Sequence, residues 1–317
     1  MIDLILLLAG FLVLIFGANK LVDASSSLAA KFGIPNIVIG LTIVAFGTSA
    51  PEMVVNAIAA INGKTEMVVG NVLGSNIFNV FGILGVCAII YPLTVKSNTT
   101  WYEVPLSMLA ALVAFVISAD IFLDQSFENL ISRSDSMILL LFFAVFLVYN
   151  IAVSKGEKPT ETTEIKNYSI SKSLLFIIIG LAGLIIGGRL IVTSAVSLAE
   201  LIGISNRVIG LTVISIGTSL PELATSIAAV KKKNVDIAIG NVVGSNIFNI
   251  FFVLGISGMI APIEVDQSSG VDFMTNILAS ILLFVFIFTG KHRRIDRIEG
   301  SVFLLLYICY LVYILVS

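Results

Sequence analysis

Gly47-Thr48-Ser49-Ala50-Pro51-Glu52 stands halfway along an apolar segment that runs from about Ile37 to about Ile61, and its reading decides the fold. A segment of that size matches a helix crossing a hydrocarbon core about 30 Å thick. Pro51 has no N–H, and its ring collides with the carbonyl of Gly47, so the helix is expected to kink or unwind there. Irregular backbone at membrane depth is tolerated only against protein or along a polar cavity. Glu52 falls near the midplane, where a carboxylate costs at least about 3 kcal/mol and faces a cavity, a partner or a cation. Freed carbonyls, the hydroxyls of Thr48 and Ser49 and one carboxylate make a set of hard oxygen donors suited to Ca²⁺ and Na⁺. The plainer reading is a proline-kinked helix with a buried neutral glutamic acid.

The stretch occurs twice. At an offset of 170 residues, Gly217-Thr218-Ser219-Leu220-Pro221-Glu222 repeats it, Asn36-Ile37-Val38-Ile39-Gly40-Leu41-Thr42 aligns with Asn206-Arg207-Val208-Ile209-Gly210-Leu211-Thr212, and Gly10, Gly17 and Gly33 meet Gly180, Gly187 and Gly203. A second block follows the same offset, Gly70-Asn71-Val72-Leu73-Gly74-Ser75-Asn76-Ile77-Phe78-Asn79 against Gly240-Asn241-Val242-Val243-Gly244-Ser245-Asn246-Ile247-Phe248-Asn249. Identity of roughly half the positions across these cores marks a duplicated unit. We divide the chain into residues 1–153, with its motif at 40–85, a linker at 154–171, and residues 172–317, with the matching motif at 210–255.

Composition sets the class. The chain has 317 residues, 58% of them hydrophobic and 12% charged, with a mean hydropathy of +1.08, which is far too apolar for a soluble domain. Apolar runs begin near Leu4, Ile37, Met67, Val104, Met137, Leu174, Val208, Ile237, Phe273 and Val302, so the expected fold is an all-α integral membrane protein of about ten spanning helices. About five spans per unit is an odd number, which inserts the two copies from opposite sides and makes them inverted repeats. A pseudo-two-fold axis in the membrane plane then brings Glu52 and Glu222 towards each other.

Several classes drop out. No basic stripe interleaved with aromatics exists to hold nucleic acid, and no Ser/His or Cys/His constellation lies in the spans to make an enzyme. Met1-Ile2-Asp3 lacks the positive start of a removable signal, so the first run reads as a helix. Cys87 and Cys309 sit in apolar runs, where a thiol behaves as a small hydrophobe; neither a disulfide nor a cysteine metal site is expected. His292 has no histidine partner and receives no role.

Loop charges orient the chain. One set of loops holds Lys20, Lys31, Lys96, Lys155, Lys158, Lys166, Lys172, Lys231, Lys232, Lys233, Lys291, Arg293, Arg294 and Arg297, and the opposite set holds little beyond Lys64, Arg133 and Arg207. By the positive-inside rule the first set is cytoplasmic, with the 154–171 linker, and both termini lie outside. Glu157, Glu161 and Glu164 in the linker lack the spacing of a calcium loop and read as solvated. Asp120, Asp124, Glu128, Asp135, Glu264, Asp266 and Asp272 in the outer loops either concentrate cations at a mouth or form an ordinary solvated surface.

In the second block, Gly70/Gly74 and Gly240/Gly244 have the spacing that lets helix backbones approach closely. Asn71, Ser75 and Asn79 recur every four residues and share one face, as do Asn241, Ser245 and Asn249. Ser75, Asn79, Ser245 and Asn249 read as ligands, while Asn71 and Asn241 stand equally as ligands or as interhelical glue. Two glutamates bring a charge that one Ca²⁺ neutralises, and neutral oxygens complete its six to eight ligands. Protons compete with the cation for such a pair. A channel is also compatible with a carboxylate site, but inverted repeats with discontinuous helices favour alternating access.

The paired G-T-S-x-P-E and G-N-x-x-G-S-N-I-x-N blocks resemble the two alpha repeats of the cation/Ca²⁺ antiporter superfamily, of the kind in prokaryotic sodium/calcium exchangers, over nearly the whole chain. The resemblance implies a central cluster for Ca²⁺ and Na⁺. Its acidic ligands fall on Glu52 and Glu222, its hydroxyl and carbonyl ligands on Thr48, Ser49, Thr218 and Ser219, and its backbone oxygens on Ala45 and Ser215. Ser75, Asn79, Ser245 and Asn249 complete it. It also implies that the first and sixth helices, carrying Gly10, Gly17, Gly180, Gly187 and Gly188, slide as a gate. Potassium-dependent relatives carry Asp at the place of Asn249, and proton-coupled members carry a glutamate that Asn76 and Asn246 do not supply. The expectation is a Na⁺/Ca²⁺ antiporter of the plasma membrane, embedded in the bilayer and needing no cofactor, in which a monomer suffices for transport while the oligomeric state stays open. A H⁺/Ca²⁺ antiporter is the alternative, and a passive cation channel is more remote.

Overall fold

The computed structural model describes residues 2–123, 125, 127–154, 166–201, 215–266, 269–289 and 293–316. Lys155, Glu157, Lys158, Glu161, Glu164, Asp124, Gly203, Asn206, Arg207, Gly210, Lys291 and His292 lie outside the described residues, and so do the readings that fell on them. The first repeat consists of α1 (Ile2–Phe32), the pair α2 (Asn36–Thr48) and α3 (Ala50–Ile61), α4 (Glu66–Ile90), α5 (Thr99–Val116) and α6 (Arg133–Ser154). The second consists of α7 (Ile170–Leu201), α8 (Ser215–Thr218), α9 (Leu220–Lys231), α10 (Val235–Ile260), α11 (Gly270–Thr289) and α12 (Arg297–Val316). Eight of these helices are long and apolar enough to span, and the α2/α3 pair makes a ninth. The expected tenth is seen only as α8 and α9, because residues 202–214 lie outside the described residues.

The break between α2 and α3 bends the axis by 46°. It is made by one residue: Ser49 leaves helical geometry at φ −83°, ψ 4°, and Pro51 then occupies the first turn of α3. Proline is tolerated there because a first-turn N–H has no helical acceptor. Ser219, at φ −89°, ψ 8°, does the same before α9. The expected unwinding is therefore a tight corner.

Burial grades outward from α4 and α10, whose spanning windows are 78% and 94% buried, to α6 and α12, at 28% and 17%. The deepest helices thus carry the second duplicated block. Each widens into π geometry at the end of it, over Phe78–Leu84 and Phe248–Leu254, a feature that clusters at functional sites. Apolarity alone did not signal it. Gly240 and Gly244 bear out the close-approach reading, since a Cβ on either would stand within 3 Å of Ile37, Leu41 or Ala45, whereas a Cβ on Gly70 would meet nothing within 4 Å, so close approach is found in the second repeat and not at Gly70.

Two short antiparallel ladders staple the repeats to each other. β1 (Leu93–Thr94) pairs with β4 (Arg294–Ile295), and β2 (Asn129–Ile131) pairs with β3 (Ile263–Val265). Each joins the strand after a third span to the strand before the other repeat's last span, as inverted symmetry requires. At the β1/β4 end, Lys96 pairs with Asp236 at 2.7 Å, and Asp23 takes Lys166 and Lys232 at 2.8 Å each. The Asp23 carboxylate holds the Lys166 ammonium above the usual lysine range. At the β2/β3 end, Arg133 donates to the carbonyls of Met259 and Ile260. The basic loops therefore gather on one face. On the other, Asp120 and Asp135 accept the backbone N–H groups of Leu130 and Ser132 at 2.8 and 2.9 Å, so these two carboxylates serve as loop caps. Cys87 is buried and Cys309 exposed, both as free thiols.

Along α1 and α7 the glycines meet. A Cβ on Gly17 would stand 2.7 Å from the Gly180 oxygen, and one on Gly187 would stand 2.6 Å from the Leu14 nitrogen. The two helices touch backbone to backbone, with Leu12, Ile15, Leu174 and Ile178 exposed on their outer surfaces.

Candidate cation site

The two corners face each other across the pseudo-two-fold axis. Glu52 and Glu222, each 1% exposed, lie in the first turns of α3 and α9, where the positive end of the helix dipole favours a carboxylate. Their hydroxyl partners are crossed between repeats. Ser49 donates to Glu222 Oε1 at 3.0 Å, and Ser219 donates to Glu52 Oε1 at 3.2 Å. Ser49 is also 3.0 Å from the Ser245 hydroxyl, and Ser219 is 3.1 Å from that of Ser75. Each corner is thereby held against the third span of its own repeat's mate.

Asparagines set the next layer. Asn76 Nδ2 donates to the Asn246 carbonyl at 3.1 Å, and Asn246 Nδ2 returns the bond to the Asn76 carbonyl at 3.3 Å. Their side-chain oxygens then accept from Asn79 Nδ2 at 2.9 Å and Asn249 Nδ2 at 3.0 Å. These bonds fix which way both amides turn. With the donors of Asn79 and Asn249 occupied, the Oδ1 atoms are left over. Asn76 and Asn246 are therefore positioning residues, and the signal for that role in the sequence is their recurrence in both repeats.

The buried atoms left without a partner reveal the chemistry. Glu52 Oε2, Glu222 Oε2, Asn79 Oδ1 and Asn249 Oδ1 are buried and unpartnered, and all four are acceptors. An unsatisfied buried polar atom costs about 1–3 kcal/mol, more when charged, so four buried acceptors without donors suit a cation. Among the described residues no lysine, arginine or histidine pairs with either glutamate. Nor, among them, is there a cluster of three His, Cys, Asp or Glu side chains fit to hold a metal. Two carboxylates among neutral oxygens bind a hard cation while allowing its release.

The remaining expected residues divide. Thr48 Oγ1 lies 3.0 Å from Asn241 Oδ1, and Thr218 Oγ1 lies 3.5 Å from Asn71 Oδ1, so both hydroxyls sit at the corners. The Ala45 carbonyl accepts from Ser49 N at 2.9 Å and lies 3.2 Å from Thr48 Oγ1, which places it at the corner beside that hydroxyl. Ser215 opens α8. Asn241, left open between two roles, donates to the Glu222 carbonyl and to Ser226 at 3.2 and 3.0 Å, and its geometry is that of glue.

The family described as "Sodium/calcium exchanger protein" matches residues 2–152 and 172–316. The chain is similar to the inner membrane protein YrbG of Escherichia coli (strain K12), 37% identical with 87% of this chain and 86% of that one covered. It is also similar to the sodium/calcium exchanger MaX1 of Methanosarcina acetivorans, 31% identical with 98% of each covered. A solved structure of the sodium-calcium exchanger NCX_Mj, soaked with 10 mM Na⁺ and zero Ca²⁺, aligns at a TM-score of 0.84 and 33% identity over 98% of each chain.

Proposed function

Because this chain belongs to the sodium/calcium exchanger protein family, we propose that it is a secondary antiporter exchanging Na⁺ for Ca²⁺ across the plasma membrane by alternating access. The observation that carries this reading is the set of four unpartnered buried acceptors, Glu52 Oε2, Glu222 Oε2, Asn79 Oδ1 and Asn249 Oδ1. Glu52 and Glu222 are the charged ligands, and Thr48, Ser49, Thr218, Ser219, Ser75, Ser245, Asn79 and Asn249 supply neutral oxygens. Coupling to Na⁺ rather than H⁺ rests on the amides of Asn76 and Asn246, which hold the third spans together where an acid would have carried a proton.

Residues 1–153 and 172–317 are the two inverted units of this mechanism, the basic face is cytoplasmic, and both termini are outside. The gate is the α1/α7 pair. Its cytoplasmic end is latched: Lys232 Nζ donates to the Asn19 carbonyl at 2.9 Å and to Asp23 at 2.8 Å, and Asn234 donates to Ser26 at 3.0 Å. Among the described residues no such bond ties α7 to Asn62 or Lys64 at the far end of α3. This arrangement is closed towards the cytoplasm.

The test is radiocalcium uptake into Na⁺-loaded proteoliposomes diluted into buffer free of Na⁺ and K⁺, beside vesicles carrying only a pH gradient. Uptake driven by sodium is expected; uptake in the pH-gradient sample alone would assign proton coupling, and uptake with no counter-ion would assign a channel. Asn249→Asp adds a buried charge next to the Asn76 amide. It is expected to shift the ratio of Na⁺ to Ca²⁺ half-saturation by about tenfold, or to introduce K⁺ dependence. An unchanged ion dependence in the same assay would remove Asn249 from the ligand set.

A further inference from the structure

Asn56 lies four residues after Glu52, so the two side chains leave α3 on nearly the same face, with Asn56 about 6 Å further from the corner. It is 1% exposed, and neither its Oδ1 nor its Nδ2 has a partner. Buried amides are almost always paired, and one with both ends unpaired asks for an explanation. A purely apolar packing position would be better filled by leucine.

The pseudo-equivalent place in the other repeat is wired differently. There, Ser226 accepts from Asn241 Nδ2 at 3.0 Å, and Asn241 also grips the Glu222 carbonyl and accepts from Thr48. In the first repeat, Asn71 accepts from Ser75 at 3.3 Å and from Thr218 at 3.5 Å, and no bond joins it to Asn56. The α9 side of the site is stitched shut; the α3 side is not. The part of α10 packed on α3, Gly255–Ile260, adds a second buried unpartnered oxygen, Ser257 Oγ. Helix α9 keeps one comparable atom, the hydroxyl of Thr225, and its sequence, Leu220–Lys231, carries no amide side chain.

We infer that Asn56 is a further cation ligand, used on the face towards which α3 runs, where its Oδ1 joins Glu52 in taking Na⁺ or Ca²⁺ from that side. The inference rests on the exchange reading above and adds to it a sidedness. When the carrier faces the other way, the amide bonds Asn71 as Ser226 now bonds Asn241, so Asn56 serves one access state alone.

The experiment compares the unsubstituted chain with Asn56→Leu in proteoliposomes, measuring half-saturation by Ca²⁺ separately on each face. The α3 face is identified by labelling an Asn62→Cys variant with an impermeant maleimide. The leucine variant is expected to be as thermally stable as the parent or more so, with half-saturation raised about threefold to tenfold on the α3 face and unchanged on the other. Equal change on both faces, or none on either, would overturn the inference. Asn56→Ser gives the same reading if the leucine variant does not fold. Radiocalcium binding to the detergent-purified chain separates this from the parent proposal: if sodium drives no flux yet Asn56→Leu weakens binding, the exchange reading fails and the ligand stands. Unaltered binding beside normal sodium-driven flux with equal half-saturations removes the ligand alone.

Discussion

Glu52→Gln and Glu222→Gln are each expected to lower calcium flux by more than about a hundredfold while the protein remains folded. Glutamine keeps the shape of the side chain and an oxygen able to accept from Ser219 or Ser49, as Glu52 and Glu222 do at 3.2 and 3.0 Å. What changes is the oxygen that had no partner, Oε2. It becomes an amide that turns two N–H donors towards the cation, and half of the compensating charge is gone. Removing one member of a buried charge pair costs about 3–5 kcal/mol, and about 2.7 kcal/mol is already a hundredfold in binding. The folded state loses nothing comparable, because a buried carboxylate with a vacant acceptor is a burden on stability when no cation neutralises it. The thermal midpoint in detergent without Ca²⁺ should therefore hold or rise in both variants. The stabilisation that saturating Ca²⁺ confers, about 2.7 kcal/mol at a concentration a hundred times Kd, should disappear. Full exchange by either variant, together with retained stabilisation by Ca²⁺, would return the glutamates to a structural role.

Gly187→Ala and Gly188→Ala are neighbouring substitutions with opposite expected results. A Cβ on Gly187 would meet the Leu14 nitrogen at 2.6 Å, the Gly10 oxygen at 2.8 Å and the Leu14 Cα at 2.9 Å. All three are backbone atoms of α1, so no rotamer change relieves the overlap and the helix itself must move. Overpacking of this kind costs about 1–3 kcal/mol, and a gate forced apart should lose at least about tenfold in exchange rate. On Gly188 the nearest atoms are the Pro221 ring carbons at 3.9 Å, an ordinary contact. Alanine is the better helix former by about 1 kcal/mol, so Gly188→Ala should keep its flux and gain slightly in thermal midpoint. Equal flux in the two variants would show that backbone contact between α1 and α7 does not limit transport.

Much of the candidate site was legible because the chain repeats itself. The offset that pairs Glu52 with Glu222 also pairs Ser75 with Ser245 and Asn79 with Asn249, and these residues do meet around the axis. The role of Asn76 and Asn246 was not legible, since one residue's displacement from the Asn71/Ser75/Asn79 stripe disguised two side chains that face each other across the axis. The corner at Ser49 uses the Ala45 carbonyl as its own backbone acceptor, a local contact that spacing did not signal. Asn56 gave no signal at all, being a single amide on an otherwise apolar turn.

Composition, run length and internal repetition are properties of the chain read in one dimension. They were sufficient to establish a multi-span membrane protein, inverted repeats, two helix breaks at proline and two intramembrane carboxylates. Tertiary structure alone decided the crossed serine–glutamate bonds, the reciprocal asparagines and the unequal wiring of Asn71 and Asn241. The physical reason is rotational. A helix apolar on nearly every side has no stripe from which its facing can be read, and the π turns at Phe78–Leu84 and Phe248–Leu254 shift the facing of everything beyond them. Which oxygen meets which partner then depends on how neighbouring helices pack. Which half is stitched and which is open follows from contacts such as Asn241 with Ser226, which the offset between the repeats does not predict.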